Sequence, residues 1–202
     1  MTVQKRLLDI GLALILCVLV APVLIVLVIL MICTQGLPVF YISERMKSPR
    51  QGFALWKLRT MTVVASDAGV SGGDKTARIT AMGRVLRRTR LDEVPQLWNI
   101  LRGDLSFVGP RPPLRRYVEM FPALYAAVLK SRPGITGLAT LKIHAYEERL
   151  LARCTSATET ERVYVRRCIP RKARLDLMYQ RRQSLCLDLS LMLQTAKKLL
   201  GR

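Results

Sequence analysis

Asp92 and Glu93 stand side by side in RLDEVPQLWN, residues 90–99, directly after a stretch with Arg78, Arg84, Arg87, Arg88 and Arg90 and no acid. Two roles suit such a pair. Thr89 to Asp92 follows the capping pattern [ST]-x-x-[DE], acids favour a first helical turn, and Pro95 is tolerated there. The same surroundings equip carboxylates for chemistry. Beside arginines at a helix start they stay ionised at neutral pH. An anionic carboxylate binds Mg²⁺ or attacks an electrophile. Attack at phosphorus needs cations to screen the substrate's own charge. Lys57, Arg59, Arg87 and Arg111 are candidates, provided the fold gathers them.

Other chemistries find less support. His144 is the single histidine, and the five cysteines at 17, 33, 154, 168 and 186 form no C-x-x-C pair. That excludes a zinc site of the usual spacing, and His144 reads as an ordinary polar residue. An odd number of scattered cysteines points to reduced thiols in a cytosolic setting. GVSGGDKT, residues 69–76, falls one substitution short of the phosphate-binding pattern G-x-x-x-x-G-K-[ST]. Asp74 replaces the glycine that lets backbone N–H groups approach phosphates, which argues against a P-loop.

The elements that must position the acidic pair follow from patterning. PVFYI and FALWKL read as a strand pair, MTVVA as a third strand, and SDAGVSGGD as a flexible loop. Residues 76–90 place Ile79, Met82, Val85 and Leu86 at helical spacing. A second helix is expected from Asp92 to Arg102, with Leu91, Val94, Leu97, Trp98 and Leu101 inward and Gly103 as its stop. DLSFVGPRPP is expected to be a loop, since Pro110, Pro112 and Pro113 oppose regular pairing. Residues 114–130 suggest a helix, SRPGITGLATL a turn leading into an extended segment, and 144–168 mostly helix. The C-terminal leucines fit a helix lying on a membrane, with a core helix as the competing reading.

The chain has 202 residues, and 33 Lys and Arg against 14 Asp and Glu give a net charge of +19. Such a surface seeks nucleic acid, acidic lipid or phosphorylated substrates. Half of the residues are nonetheless hydrophobic, and the two properties are segregated. Residues 10–33 carry no charged side chain; as a helix they would measure about 36 Å, longer than a hydrocarbon core of ~30 Å. The run is too long for a secretory signal, and no small-x-small cleavage site follows. Both flanks are basic, which disfavours exporting one of them. Pro22 removes a backbone hydrogen bond mid-segment and bends a helix there. A bent helix that enters one leaflet and returns keeps both flanks inside; a straight span is the alternative.

RRTRLDEVPQLWNILRGDLSFVGPRPPL, residues 87–114, closely resembles the central signature of the bacterial sugar transferases, the monotopic polyprenyl-phosphate phosphoglycosyl transferases. FALWKLRTM and RPGITGLATL resemble the segments on either side. QKRLLDIGLALILCVLVAPVLIVLVIL resembles the family's membrane helix, and RLDLMYQRRQSLCLDLSLMLQTAKKLL its C-terminal end. The resemblance covers residues 4 to about 143 and 171 to 200.

The likeness implies an α+β, mostly helical fold. Residues 1–34 would form a re-entrant membrane helix kinked at Ala21-Pro22. Residues 35–202 would form a small membrane-associated catalytic domain with short strands and interfacial amphipathic helices. It implies transfer of a phosphosugar from a UDP-sugar to polyprenyl (undecaprenyl) phosphate, the first membrane step of surface glycoconjugate or exopolysaccharide assembly. Asp92 matches the nucleophile that forms a phosphosugar–aspartate and releases UMP. Glu93 matches the second acid, in metal organisation or proton handling, and Mg²⁺ is the family cofactor, with Asp92 and Glu93 as its expected ligands. Arg111, between Pro110 and Pro112 in GPRP, matches an arginine associated with nucleotide and phosphate binding. Arg87 and Lys57 match further basic residues, and Arg59 completes the expected set. The implied location is the cytoplasmic face of the bacterial inner membrane, with anionic lipid as a further partner; a homo-oligomer is compatible with the sequence.

Some residues depart from the family. Relatives often have Ser-Pro at the bend, where this chain has Ala21-Pro22, so a hydroxyl able to satisfy a freed carbonyl is missing. GLATL stands where relatives often have a tryptophan and a glutamine, and residues 144–170 match nothing familiar. An extra N-terminal membrane bundle of larger relatives is not seen, so a minimal catalytic version is expected. Two rival readings are a basic, membrane-anchored binding module and an inactive scaffold relative. RNA binders usually offer stacking aromatics, but only 6% of this chain is aromatic, so no nucleic-acid partner is expected. The intact Asp92 and Glu93 argue against the scaffold.

Overall fold

The computed structural model describes residues 1–64 and 73–201. Most of the SDAGVSGGD loop and the first half of GVSGGDKT fall outside the described residues. The fold is α+β and mostly helical. Helix α1, Val3–Gln35, contains Pro22 and ends at Gly36, whose φ of 66° lies in the positive range that favours glycine. Strands β1, Phe40–Met46, and β2, Gly52–Leu58, form an antiparallel pair with Tyr41 opposite Lys57 and Arg45 opposite Phe53. Among its described residues, 61–64, MTVVA does not become a third strand: Met61 alone makes a bridge, to Ile79. The expected helix over 76–90 is shorter, because that bridge separates a 3-10 segment, Gly73–Arg78, from α2, Ala81–Thr89.

The expected 92–102 helix is a 3-10 turn, Leu91–Glu93, followed by α3, Gln96–Arg102. Its buried face also differs from the expected stripe. Ile100 and Asn99 are fully buried, whereas Trp98 is 53% exposed. The reason is Asn99, whose Nδ2 donates to Ala54 O (2.8 Å) and whose Oδ1 accepts from Trp56 N (3.2 Å), tying α3 to β2.

DLSFVGPRPP is not all loop. Ser106–Val108 forms β3, which pairs in parallel with β4, Gly134–Thr136. The prolines begin after the strand and end it rather than preclude it. Pro122 splits the expected 114–130 helix into α4, Arg115–Met120, and α5, Pro122–Val128. Helix α6, Leu138–Leu151, starts directly after β4, so Leu138–Leu141 is helical rather than extended. Helix α7, Ala157–Val163, runs through a π-turn, Tyr164–Cys168, into α8, Ile169–Arg182, and α9, Leu185–Leu200, closes the chain. No disulfide forms among the described residues.

Helix α1 docks on the rest of the chain along one face. Ala13, Leu16 and Cys17 pack with Leu97, Ile100 and Leu105. Leu24, Leu27, Val28 and Met31 pack with Val39, Leu58, Leu86 and Leu91. That i, i+3, i+4, i+7 spacing is one stripe of a helix. The opposite face exposes large apolar side chains, among them Val18, Leu19, Ile25 and Ile29. Polar contacts fix both ends. Lys5 Nζ pairs with Asp188 Oδ2 at 2.6 Å in a buried setting, and Arg6 donates to the carbonyls of Ile100 (2.6 Å) and Leu101 (2.8 Å). At the other end Arg59 donates to the carbonyls of Gln35 (2.6 Å), Gly36 (2.8 Å) and Leu37 (3.2 Å). Helix α9 has a mixed face: Leu191 is buried against Val108 and Tyr179, while Leu189 and Leu193 are exposed.

Candidate active site

Three elements converge on the acidic pair. Strand β2 brings Lys57. Helix α2 is capped by Thr80 Oγ1, which accepts from Gly83 N at 2.9 Å, and its last turn carries Arg87. The chain then turns at Arg90, a non-glycine residue in the left-handed region at φ 61°. That conformation costs about 1–2 kcal/mol and redirects the backbone so that Asp92 and Glu93 point inward, at 7% and 8% exposure. The third element is the loop after β3, which presents Arg111. It approaches β4 so closely that a Cβ on Gly134 would collide with Gly109 N, and one on Gly109 with Arg132 O. Two glycines are therefore required where the Arg111 loop crosses β4.

Glu93 Oε1 collects cations: Lys57 Nζ at 2.9 Å, an Arg111 guanidinium nitrogen at 3.1 Å and one of Arg90 at 3.9 Å. Burial alone would raise the Glu93 pKa. Arg111, Lys57 and Arg90 overcome it and hold this carboxyl far below the usual carboxylate range. Asp92 behaves oppositely. Burial raises its pKa, assisted by the charge of Glu93, with Lys57, Arg90 and Arg87 opposing the rise. Asp92 Oδ1 is buried with no hydrogen-bond partner. A buried, unpartnered carboxylate oxygen is costly unless a bound group completes it.

Of the expected basic residues, Lys57 and Arg111 touch Glu93, and Arg87 donates through Nε to Thr60 Oγ1 at 2.9 Å while sensing Asp92 electrostatically. Arg59 is committed elsewhere, to the three carbonyls at the end of α1. Pro110 and Pro112 are buried and frame Arg111; Pro110 O accepts from Gly134 N at 2.9 Å. Ala21 and Pro22 lie within α1, apart from this cluster.

Two residues were missed. Arg90 reads as one more member of an arginine run, and only its left-handed turn marks it. His144 reads as a lone polar histidine, yet its Nε2 meets the Arg90 guanidinium. Burial, then the Arg90 charge, lower its pKa, so the imidazole stays neutral at neutral pH and accepts from Arg90. Beside these groups opens a cavity of about 250 Å³. Glu93, Arg90, Arg111, His144 and Lys198 give it a polar end, while Leu16 and Val20 of α1 give it an apolar wall.

As a metal site the donor set is small. Among the described residues no group of three His, Cys, Asp or Glu side chains converges. Mg²⁺ usually takes one or two carboxylates plus substrate phosphates and water. Asp92, with its free oxygen, and Glu93 fit that pattern.

The bacterial sugar transferase family matches residues 1–202. The chain belongs to that family. Among its relatives is a UDP-glucose:undecaprenyl-phosphate glucose-1-phosphate transferase of Klebsiella pneumoniae, 34% identical over 81% of this chain and 36% of that protein. A protein of the same description from Caulobacter vibrioides is 33% identical over 98% of this chain and 70% of its own length. A UDP-N-acetylgalactosamine-undecaprenyl-phosphate N-acetylgalactosaminephosphotransferase of Aeromonas hydrophila is 33% identical over 70% of this chain and 34% of that protein. This sugar transferase thus spans about a third of the Klebsiella and Aeromonas proteins.

Proposed function

We propose that this sugar transferase moves a sugar phosphate from a UDP-sugar to polyprenyl (undecaprenyl) phosphate, giving a polyprenyl diphosphate sugar and UMP. The observation that carries this reading is the pairing of two unlike carboxylates. Asp92 is buried with a free oxygen, and Glu93 beside it is held ionised by three cations. An Asp92 oxygen attacks the sugar-linked phosphorus, and the bond from that phosphorus to UMP breaks, its electron pair leaving with UMP. The phosphate of the acceptor then attacks the same phosphorus and frees Asp92. A covalent intermediate lets one site serve a water-soluble donor and a lipid acceptor in turn.

Glu93 orients Lys57, Arg90 and Arg111 through Oε1, which all three cations engage, rather than attacking. These cations screen the diphosphate, and Arg87 supports Asp92 from the side of α2. Asp92 and Glu93 are the residues that would hold Mg²⁺, which when bound supplies further charge neutralisation to the donor. The cavity suits an acceptor with a charged head and an apolar tail, since its polar end reaches Glu93 and Arg111 and its apolar wall belongs to α1.

The membrane arrangement belongs to the same proposal. Residues 1–34 form a re-entrant helix, bent at Ala21-Pro22, and residues 35–202 a domain on the cytoplasmic face of the bacterial inner membrane. Docking of both ends of α1 on one domain supports this reading. Exposed leucines of α9 and the +19 charge suit an interfacial seat on anionic lipid.

The test is UMP release by purified protein supplied with Mg²⁺, undecaprenyl phosphate and a panel of UDP-sugars. Asp92→Asn is expected to abolish release and the covalent adduct while leaving membrane association intact. Full turnover by Asp92→Asn without deamidation would remove Asp92 as nucleophile.

A further inference from the structure

Arg45 carries a charge for which the described protein offers no counter-ion. It lies on the same face of the hairpin as Lys57, because Arg45 pairs with Phe53 and Tyr41 with Lys57, two residues apart at each step. The neighbouring charges are matched: Glu93 by Lys57 and Arg111, Glu147 by Lys172 at 3.0 Å, Glu44 by Arg115 at 2.6 Å. Arg45 has no carboxylate at ion-pair distance among the described residues, and its Nε makes a long hydrogen bond to Ser43 Oγ at 3.4 Å. Burial, then the charge of Arg111, depress its pKa, and Tyr164, Tyr41 and Tyr117 also face it. Around it the Tyr117 and Tyr164 rings meet at 5.0 Å, the Tyr117 hydroxyl is buried without a partner, and Lys172 Nζ reaches the Tyr164 hydroxyl at 3.3 Å. A half-buried guanidinium beside a second guanidinium is unfavourable unless a bound anion completes it.

The geometry points to Arg45 and Arg111 as a phosphate-monoester subsite that holds the phosphate of the departing UMP. This rests on the transfer reading above. When the phosphorus–oxygen bond breaks, the electron pair stays on the nucleotide oxygen and its phosphate becomes a dianionic monoester. An unneutralised arginine meets that extra charge, and a planar guanidinium suits two phosphate oxygens at once. The acceptor phosphate is also a monoester and is the other source of such an anion. The nucleotide is favoured because Arg111 lines the cavity that borders α1, whereas Arg45, Lys172, Glu147 and Tyr164 do not.

The experiment is calorimetric binding of UMP and of uridine to the full-length protein in detergent, as wild type, Arg45→Gln and Arg45→Lys. A short-chain polyprenyl phosphate is titrated as a second ligand. Arg45→Gln is expected to weaken UMP about tenfold, the scale of one charged hydrogen bond, leave uridine unchanged, and be partly rescued by Arg45→Lys. A parallel loss of polyprenyl phosphate affinity agrees with the assignment, since in-line attack and departure share one position. Undiminished UMP affinity in Arg45→Gln overturns it, as does wild type that fails to bind UMP. Loss of polyprenyl phosphate with UMP untouched assigns the subsite to the acceptor and also overturns it. Binding needs no turnover, so the two proposals fail separately. UMP that binds through Arg45 without any UDP-sugar turnover removes the transfer reading alone.

Discussion

Burial raises the pKa of Asp92, and the charge of Lys57 is the largest force opposing that rise. The sign of the pH dependence follows. A nucleophilic carboxylate acts as the anion, so adduct formation falls as pH drops through a pKa above the ordinary aspartate value of ~3.9. Lys57→Met removes the opposing charge and is expected to move this acid limb to still higher pH, with a lower plateau. Adduct formation by intact mass against pH, in wild type and Lys57→Met, measures it; coincident limbs would show that Lys57 does not set the Asp92 charge. Glu93 runs the other way. Its lowered pKa contributes stability that is fully present above the ordinary glutamate value of ~4.3 and declines as pH falls below it. Glu93→Gln is therefore expected to be less stable than wild type at pH 7, with the gap in thermal midpoint narrowing in acid.

Helix α1 is joined to α9 by a buried ion pair, Lys5 with Asp188 at 2.6 Å, and Asp188 Oδ1 also accepts from the Tyr179 hydroxyl at 2.6 Å. Removing one partner strands a buried charge, at a cost of about 3–5 kcal/mol. Lys5→Met is expected to lower thermal stability in detergent by that amount, and Lys5→Met with Asp188→Leu to recover most of it. A double variant no better than the single would mean that packing, not charge, fixes α1. Both members lie in regions whose patterns were legible as an apolar N-terminal helix and a C-terminal helix, yet the pair spans 183 residues and no local pattern announces it. The same limit explains β3. Its partner β4 lies beyond two helices, so the nearby prolines dominate a local reading. Leu138–Leu141 reads as extended because α6 starts without a capping side chain at Gly137. The β1–β2 hairpin was legible because alternation and turn residues are local. Asp92, Glu93, Lys57 and Arg111 were legible through their motif. Arg90 and His144 were not, since a left-handed turn and a contact 54 residues distant carry no signature.

At the scale of the molecule, hydrophobic face and charge determine how the chain meets a bilayer. Thirty-three helical residues would extend about 50 Å, more than a ~30 Å hydrocarbon core requires. A helix spanning at right angles would leave its ends on opposite sides of the membrane. Here Arg6 is bonded to α3 and Arg59 to the last carbonyls of α1, both within one folded unit. Outside residues 1–34 the chain carries +18, and basic flanks at both ends of the apolar segment favour keeping both on one side. The proposed re-entrant arrangement leaves the exposed face of Val18, Leu19 and Ile25 to lipid, while the stripe from Ala13 to Met31 is packed on protein. The expected outcome is that a cysteine replacing Thr2 and a cysteine appended after Arg202, in a background without native cysteines, are both shielded from a membrane-impermeant thiol reagent added to intact spheroplasts. Both should react after lysis. Labelling of the Thr2→Cys site before lysis, with the C-terminal site still protected, would mean that α1 spans the membrane and that its docking on α3 does not persist in the bilayer.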